Sequence, residues 1–145
     1  MEEYSTRSLL WSSPLMEKAL DLRREVFVEE QHVPEELEID EDDRFAFHVL
    51  MLKDEEAVAT LRMLAHGESI KIGRVAVKKE YRKRGLGTRL MKQAIEHAVR
   101  GEFADAILDA QIESIPFYER LGFVEEGEIF MDAGIPHKRM RLKLG

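Results

Sequence analysis

The stretch Tyr81 to Met91, YRKRGLGTRLM, gathers residue types suited to holding an anion rather than to breaking a bond. Five of the seven residues from 78 to 84 are basic (Lys78, Lys79, Arg82, Lys83 and Arg84), and Gly85, Leu86, Gly87 and Thr88 follow directly. Upstream, IGRVAV has the branched apolar content of a strand. Downstream, Leu90, Met91, Ala94, Ile95, Ala98 and Val99 recur at helical spacing until Gly101 supplies a stop. Glycines in the first turn of a helix leave its N–H groups unshielded, and the positive end of the helix dipole adds to them, so a small polyphosphate could close on the backbone there. The same residues also suit a helix start whose glycines ease packing and whose charges are solvated. Two other phosphate loops are excluded: no Gly-Lys-Ser/Thr follows a glycine at the required distance, and Leu90 stands where a dinucleotide fingerprint starting at Gly85 needs its third glycine.

Other chemistry is limited by composition. With no Cys there is no disulfide, no thiolate nucleophile and no cysteine-based zinc site, and the five His show none of the i,i+4 pairing of helix-borne ligands, so no metal is expected. Arg74 is a charge inside the apolar run IGRVAV; it either faces solvent or meets a substrate carboxylate or phosphate. Arg23 and Arg24 on the first helix carry the same two readings, Arg24 and Arg74 being the candidate substrate contacts. His48 in FAFHVLML reads as a satisfied sheet residue.

The elements that must position these residues follow from periodicity. Ser13-Pro14 reads as the cap and first position of a helix over about 14–30, with Leu15, Ala19, Leu20, Leu22, Val26 and Phe27 at helical spacing. PEELEIDEDDR (34–44) holds seven acids without apolar periodicity and reads as a solvated loop, with attraction of a cationic amine as the alternative role. Three strands joined by hairpins are predicted over 46–77, a second long helix over about 85–100, a strand at ADAILDA, a short helix at SIPFYERLG, and two strands in the tail, with a further strand at 5–12. The class is mixed α/β, and no repeat or linker divides residues 1–145, so one domain is expected. The net charge of −7 argues against a nucleic-acid or anionic-membrane surface, and charges interrupt the first twenty residues, so a cytoplasmic protein is expected.

RKRGLG (82–87), after IGRVAV, resembles the acyl-CoA signature Arg/Gln-x-x-Gly-x-Gly/Ala of the GNAT superfamily of N-acetyltransferases. In the correct order downstream, SIPFYERLGF (114–123) is similar to that family's Ala-Ile-x-Phe-Tyr-Glu-Lys-x-Gly-Phe segment, while LRREVFVEEQHVP (22–34) and GIPHKRM (134–140) resemble the small bacterial branch of the ElaA and YjcF kind. The resemblance implies a central, mostly antiparallel sheet splayed between its fourth and fifth strands, with acetyl-CoA as acyl donor in the gap. It places the pyrophosphate on the backbone from about Arg84 to Thr88, with Arg82, Lys83 and Arg84 supplying charge, and runs the pantetheine arm beside Val75, Ala76 and Val77. It implies direct transfer of acetyl to a primary amine of a small molecule in a ternary complex, with Tyr118 as the general acid. His137 is the candidate base, because an imidazole of ordinary pKa about 6.5 is mostly neutral in the cytoplasm and the strand before the loop lacks the Glu some relatives use; solvent is the alternative. Gln111 stands where many relatives have Asn and is a candidate substrate contact. The alternative function is a non-catalytic acyl-CoA sensor or interaction module. No nucleic-acid or membrane partner is expected, and homodimerisation is left open.

Overall fold

Alternating apolar strands build one seven-stranded sheet. The computed structural model describes residues 3–145, so Met1 and Glu2 of the expected 1–145 domain lie outside the described residues. The strands are β1 (Ser5–Leu9), β2 (Phe47–Lys53), β3 (Glu56–His66), β4 (Ser69–Val77), β5 (Asp105–Gln111), β6 (Val124–Asp132) and β7 (Ile135–Lys143). Their order is β1-β2-β3-β4-β5-β7-β6, and every neighbouring pair is antiparallel except β4–β5. That parallel pair is short: Ser69, Ile70 and Lys71 meet Asp105, Ala106 and Ile107, after which β4 continues to Val77 and β5 to Gln111 without pairing. The sheet is therefore open between its fourth and fifth strands, as the family resemblance implied.

Helices cover the two faces. On one lies α3 (Leu86–Arg100), whose buried stripe of Leu86, Leu90, Met91, Ala94 and Ala98 keeps strict helical spacing and packs with Met63, Ile72 and Leu108 of the sheet. Truncating a fully buried member such as Leu90 to Ala would cost roughly 2–5 kcal/mol. The short α4 (Ile115–Arg120) joins the same core through Tyr118. On the other face lies α1 (Met16–Arg23), whose Met16, Ala19 and Leu20 pack on Leu50 and Leu52. The helical path of α1 continues to Glu30 as a π-helical segment, Arg24–Glu30. The helix begins two residues later than Ser13-Pro14 suggested, because Ser13 Oγ accepts the Leu15 N–H at 3.2 Å inside the preceding turn rather than capping the helix.

The expected solvated loop at 34–44 is corrected. It holds α2 (Glu35–Glu38) and a 3-10 turn, Glu41–Arg44, and two of its acids, Glu38 and Asp43, are buried. The physical reason is that three arginines stand behind it, as set out below. A second irregularity lies across the sheet, where Thr60 pairs with Ala76 but Arg62 with Gly73, so that Arg74 and Val75 together oppose Leu61 in a β-bulge.

Candidate active site

The turn into α3 is shaped by left-handed backbone. Lys83 has φ 64° and Gly85 φ 76°; a Cβ at Gly85 would touch nothing, so conformation rather than space calls for glycine there. At Gly87 space decides, since a Cβ would approach Phe117 Cζ at 3.3 Å. The first helical bond runs from the Arg89 N–H to the Gly85 carbonyl at 3.1 Å, so the N–H groups of Leu86, Gly87 and Thr88 have no helical carbonyl to meet. No acid occupies the first turn. This donor set fits the phosphates of coenzyme A. The neighbouring cations are braced by the protein: Arg82 donates from Nε to the Val77 carbonyl at 2.9 Å and grips Glu30 with both terminal nitrogens at 2.9 and 2.8 Å. The Arg84 guanidinium lies 4.9 Å from the centre of the Tyr81 ring, and Lys78 pairs with Glu25 at 3.0 Å.

Where β4 and β5 part, a cavity of about 420 Å³ opens, lined by Val75, Leu108, Gln111, Tyr118 and His137 among others. Tyr118 comes from α4 and is held edge-on between Phe117 and Phe123, with ring centres at 5.0 and 6.1 Å. Burial pushes its phenol up to about 12. His137 comes from β7, stacks on Phe130 at 6.0 Å, and has Nδ1 2.7 Å from the Ile135 carbonyl. A carbonyl only accepts, so in the neutral ring Nδ1 carries the hydrogen and Nε2 the lone pair. Gln111 donates from Nε2 to Gln31 Oε1 at 2.8 Å, joining the end of β5 to the end of the first helical segment beside the cavity.

The remaining wall is ionic. Arg23, only 1% exposed, bonds Glu38 from Nε at 2.5 Å and Asp43 from Nη1 at 2.7 Å, while Arg62 reaches Asp40 at 2.7 Å and Asp43 at 3.0 Å. Arg74 completes the set with Glu38 at 2.9 Å and Asp40 at 3.3 Å. Burial alone would raise Asp43, yet the hydrogen bonds and charge of Arg23, the Asp40 N–H and Arg62 overcome it and hold the carboxyl at about 2. At Glu38 burial wins over Arg23 and Arg74, and its carboxyl lies above the ordinary range. His48 presents Nε2 to the Asp43 carbonyl at 2.9 Å; burial keeps the ring below its ordinary pKa, and Nδ1 has no partner among the described residues.

Of the candidate residues, the structure brings Tyr118, His137, Val75, Gln111 and Arg74 to one cavity. Ala76 is buried with Leu22 and Val26, and Val77 lies close to Gly87 at the start of α3. Arg24 stays outside, paired with Asp21 at 2.8 Å and Glu35 at 3.2 Å. Arg62, Glu38 and Gln31 line the same cavity and were missed by the sequence reading, while Arg23, read there as solvent-facing or substrate-binding, is buried behind that wall. The signal for Arg23 was present: it is four residues after Ala19 and three before Val26, on the buried stripe of its helix, where a charge demands carboxylate partners.

A sheet opened between its fourth and fifth strands, with a phosphate-fitting helix start beside the opening, defines the class of coenzyme A-dependent N-acyltransferases. Residues 3–144 match the family model of the acetyltransferase (GNAT) domain, and the chain belongs to that family. It is 37% identical over 126 residues to the uncharacterized N-acetyltransferase YjcF of Bacillus subtilis, covering 86% of this chain and 90% of that one. Its structure is similar to that of an acyl-CoA N-acyltransferase from Pseudomonas aeruginosa, at 32% identity and TM-score 0.86 over 97% and 99% of the two chains. Similarity to ElaA of Escherichia coli is 33% in sequence with TM-score 0.86, over 94% of this chain and 98% of that one. Among the described residues no group of three or more metal-ligating side chains converges, and no helix is long and apolar enough to cross a membrane.

Proposed function

We propose that the protein transfers the acetyl group of acetyl-CoA to a primary amine of a small molecule, by direct attack within a ternary complex. The observation that carries this reading is that a single cavity at the splay holds Tyr118, His137 and Val75 together, next to the phosphate-fitting start of α3. Bound there, acetyl-CoA supplies an activated thioester carbonyl. The backbone N–H groups of Leu86 to Thr88 hold the pyrophosphate, with Lys83, Arg84 and Arg82 adding positive charge, and main-chain groups of Val75 and Val77 align the pantetheine arm as an added strand would be aligned. His137 takes, at Nε2, the proton that the amine sheds as its bond to the acyl carbon forms. Tyr118 gives its phenolic proton to the sulfur as the carbon–sulfur bond breaks, so protons and electron pairs balance without a covalent enzyme intermediate.

The test is release of free thiol from acetyl-CoA against a panel of amines comprising lysine, glutamate, spermidine, glucosamine, an aminoglycoside and a lysine-containing peptide. Calorimetric titration with coenzyme A is run alongside. Saturable thiol release with at least one small amine supports the reading. Coenzyme A binding with no turnover across the panel would remove it in favour of a binding module.

A further inference from the structure

Seven described non-glycine residues have positive φ, and six of them lie in the turns and loops between elements. Arg74, at φ 54°, is the exception: it sits inside β4, at the bulge, one residue before Val75. A glycine would adopt this conformation without strain, so the side chain is what the position keeps. That side chain reaches across to the segment after α1. Its Nε donates to the Glu38 carbonyl at 3.0 Å and meets the Glu38 carboxylate at 2.9 Å; its Nη2 donates to the Leu37 carbonyl at 3.1 Å and to Asp40 at 3.3 Å. Leu37 and Glu38 line the cavity together with Phe27, Gln31 and Val33. Arg23, from α1, holds the Glu38 carboxylate at 2.5 Å and the Glu38 carbonyl at 2.8 Å, and Arg62, which pairs with Gly73 beside the bulge, holds Asp40 and Asp43. Of the three, Arg74 is the one that stands on the strand carrying Val75 and bonds the main chain of Leu37 from there.

We propose that Arg74 is a positioning residue for the acceptor: its guanidinium ties the β4 bulge to the main chain of Leu37 and Glu38 and so fixes the width of the acceptor side of the cavity. It acts through backbone it holds, not through the reacting atoms. The pyrophosphate donors at the turn into α3 share none of these contacts, whereas Val75 of the bulge also borders the pantetheine arm. The kinetic consequence rests on the acetyl-transfer reading; the structural one does not.

Two variants test it. Arg74→Gly keeps a backbone able to adopt φ 54° and removes the anchor, whereas Arg74→Lys keeps the charge but cannot span Leu37, Glu38 and Asp40 at once. With the best acceptor of the amine panel, both variants should raise the acceptor KM by about tenfold or more, and by a larger factor than the KM of acetyl-CoA, whose phosphates are held at the turn into α3. Hydrogen exchange should speed up in residues 36–44 and stay unchanged in 105–111. An unchanged acceptor KM in either folded variant overturns the proposal. If Arg74→Gly does not fold, the Lys variant decides. If the wild type binds coenzyme A but turns over no amine, the acetyl-transfer reading fails, and unaltered exchange at 36–44 would still overturn the anchor.

Discussion

The phenol of Tyr118 has only apolar rings and the cavity around it, and burial sets its behaviour. A group pushed up to about 12 keeps its proton at every working pH; against an ordinary thiol near ~8.5, donation is uphill by about 3.5 units, or roughly 5 kcal/mol. Donation is therefore feasible only while the carbon–sulfur bond is breaking and charge is building on sulfur. Tyr118→Phe should lower kcat by about a hundredfold or more with the coenzyme A Kd unchanged, as read by thiol release and calorimetry. Because loss of the acidic form requires the phenol to ionise, the wild-type kcat should show no alkaline limb from it below about pH 11. A limb near pH 10 that the Phe variant abolishes would contradict the assignment. His137→Ala should also lower kcat, by about tenfold or more at neutral pH, and the deficit should shrink as pH rises because hydroxide can then take the proton that the attacking amine sheds. A deficit constant from pH 7 to pH 10 would count against a base role.

At the scale of elements, the turn into α3 depends on Gly85 for its left-handed residue and on Gly87 for the close approach of Phe117. Gly85→Ala forces a β-carbon into that conformation at a cost of about 1–2 kcal/mol, whereas Asn tolerates it better. Thermal unfolding should rank wild type above Gly85→Asn above Gly85→Ala, and the coenzyme A Kd should rise in the same order. Equal affinities across the three would show that the turn does not present the phosphate donors. This turn was legible in the sequence because glycine spacing and helical periodicity are local. So were the seven strands and the open joint between β4 and β5, the latter through two motifs in register. The 34–44 segment was not legible as structure. Its acids are neutralised by Arg23, Arg62 and Arg74, which lie 15 to 36 positions away from the acids they hold, and a count of local charge cannot see such partners. Between solvent and an anion, the two readings the sequence left open for Arg74, local pattern could not decide, because at a bulge the strand gains a residue and the following side chains are re-aimed.

For the molecule as a whole, an acidic chain of net charge −7 uses its carboxylates in two ways. Glu125, Glu126 and Glu128 line the exposed edge strand β6, which also bends at a bulge between Glu126 and Phe130, and both features oppose edge-to-edge pairing. Glu38, Asp40 and Asp43 instead lock α1, β3 and β4 together, and this makes stability depend on pH in two opposing directions. Asp43 is held at about 2, below its unfolded value of ~3.9, so its contribution of roughly 2–3 kcal/mol is complete above that value and is lost as pH falls through 2. Asp40 and Asp109, both lowered, add to the same loss. Glu38 is raised, so its contribution is fullest below the unfolded carboxylate value of ~4.3 and fades as pH rises through the folded one. Urea unfolding should therefore show stability falling between about pH 4 and pH 2, while the opposing change from Glu38 lies above that window, between ~4.3 and its raised folded value. Asp43→Asn should lose about 2–3 kcal/mol at pH 7, because Arg23 and Arg62 lose their charge-assisted bonds to Asp43 while Glu38 and Asp40 remain as their partners, and should show a shallower decline below pH 4. A variant that keeps the wild-type slope would place the acid sensitivity outside the arginine-bound segment, among the surface carboxylates whose charge the solvent already screens.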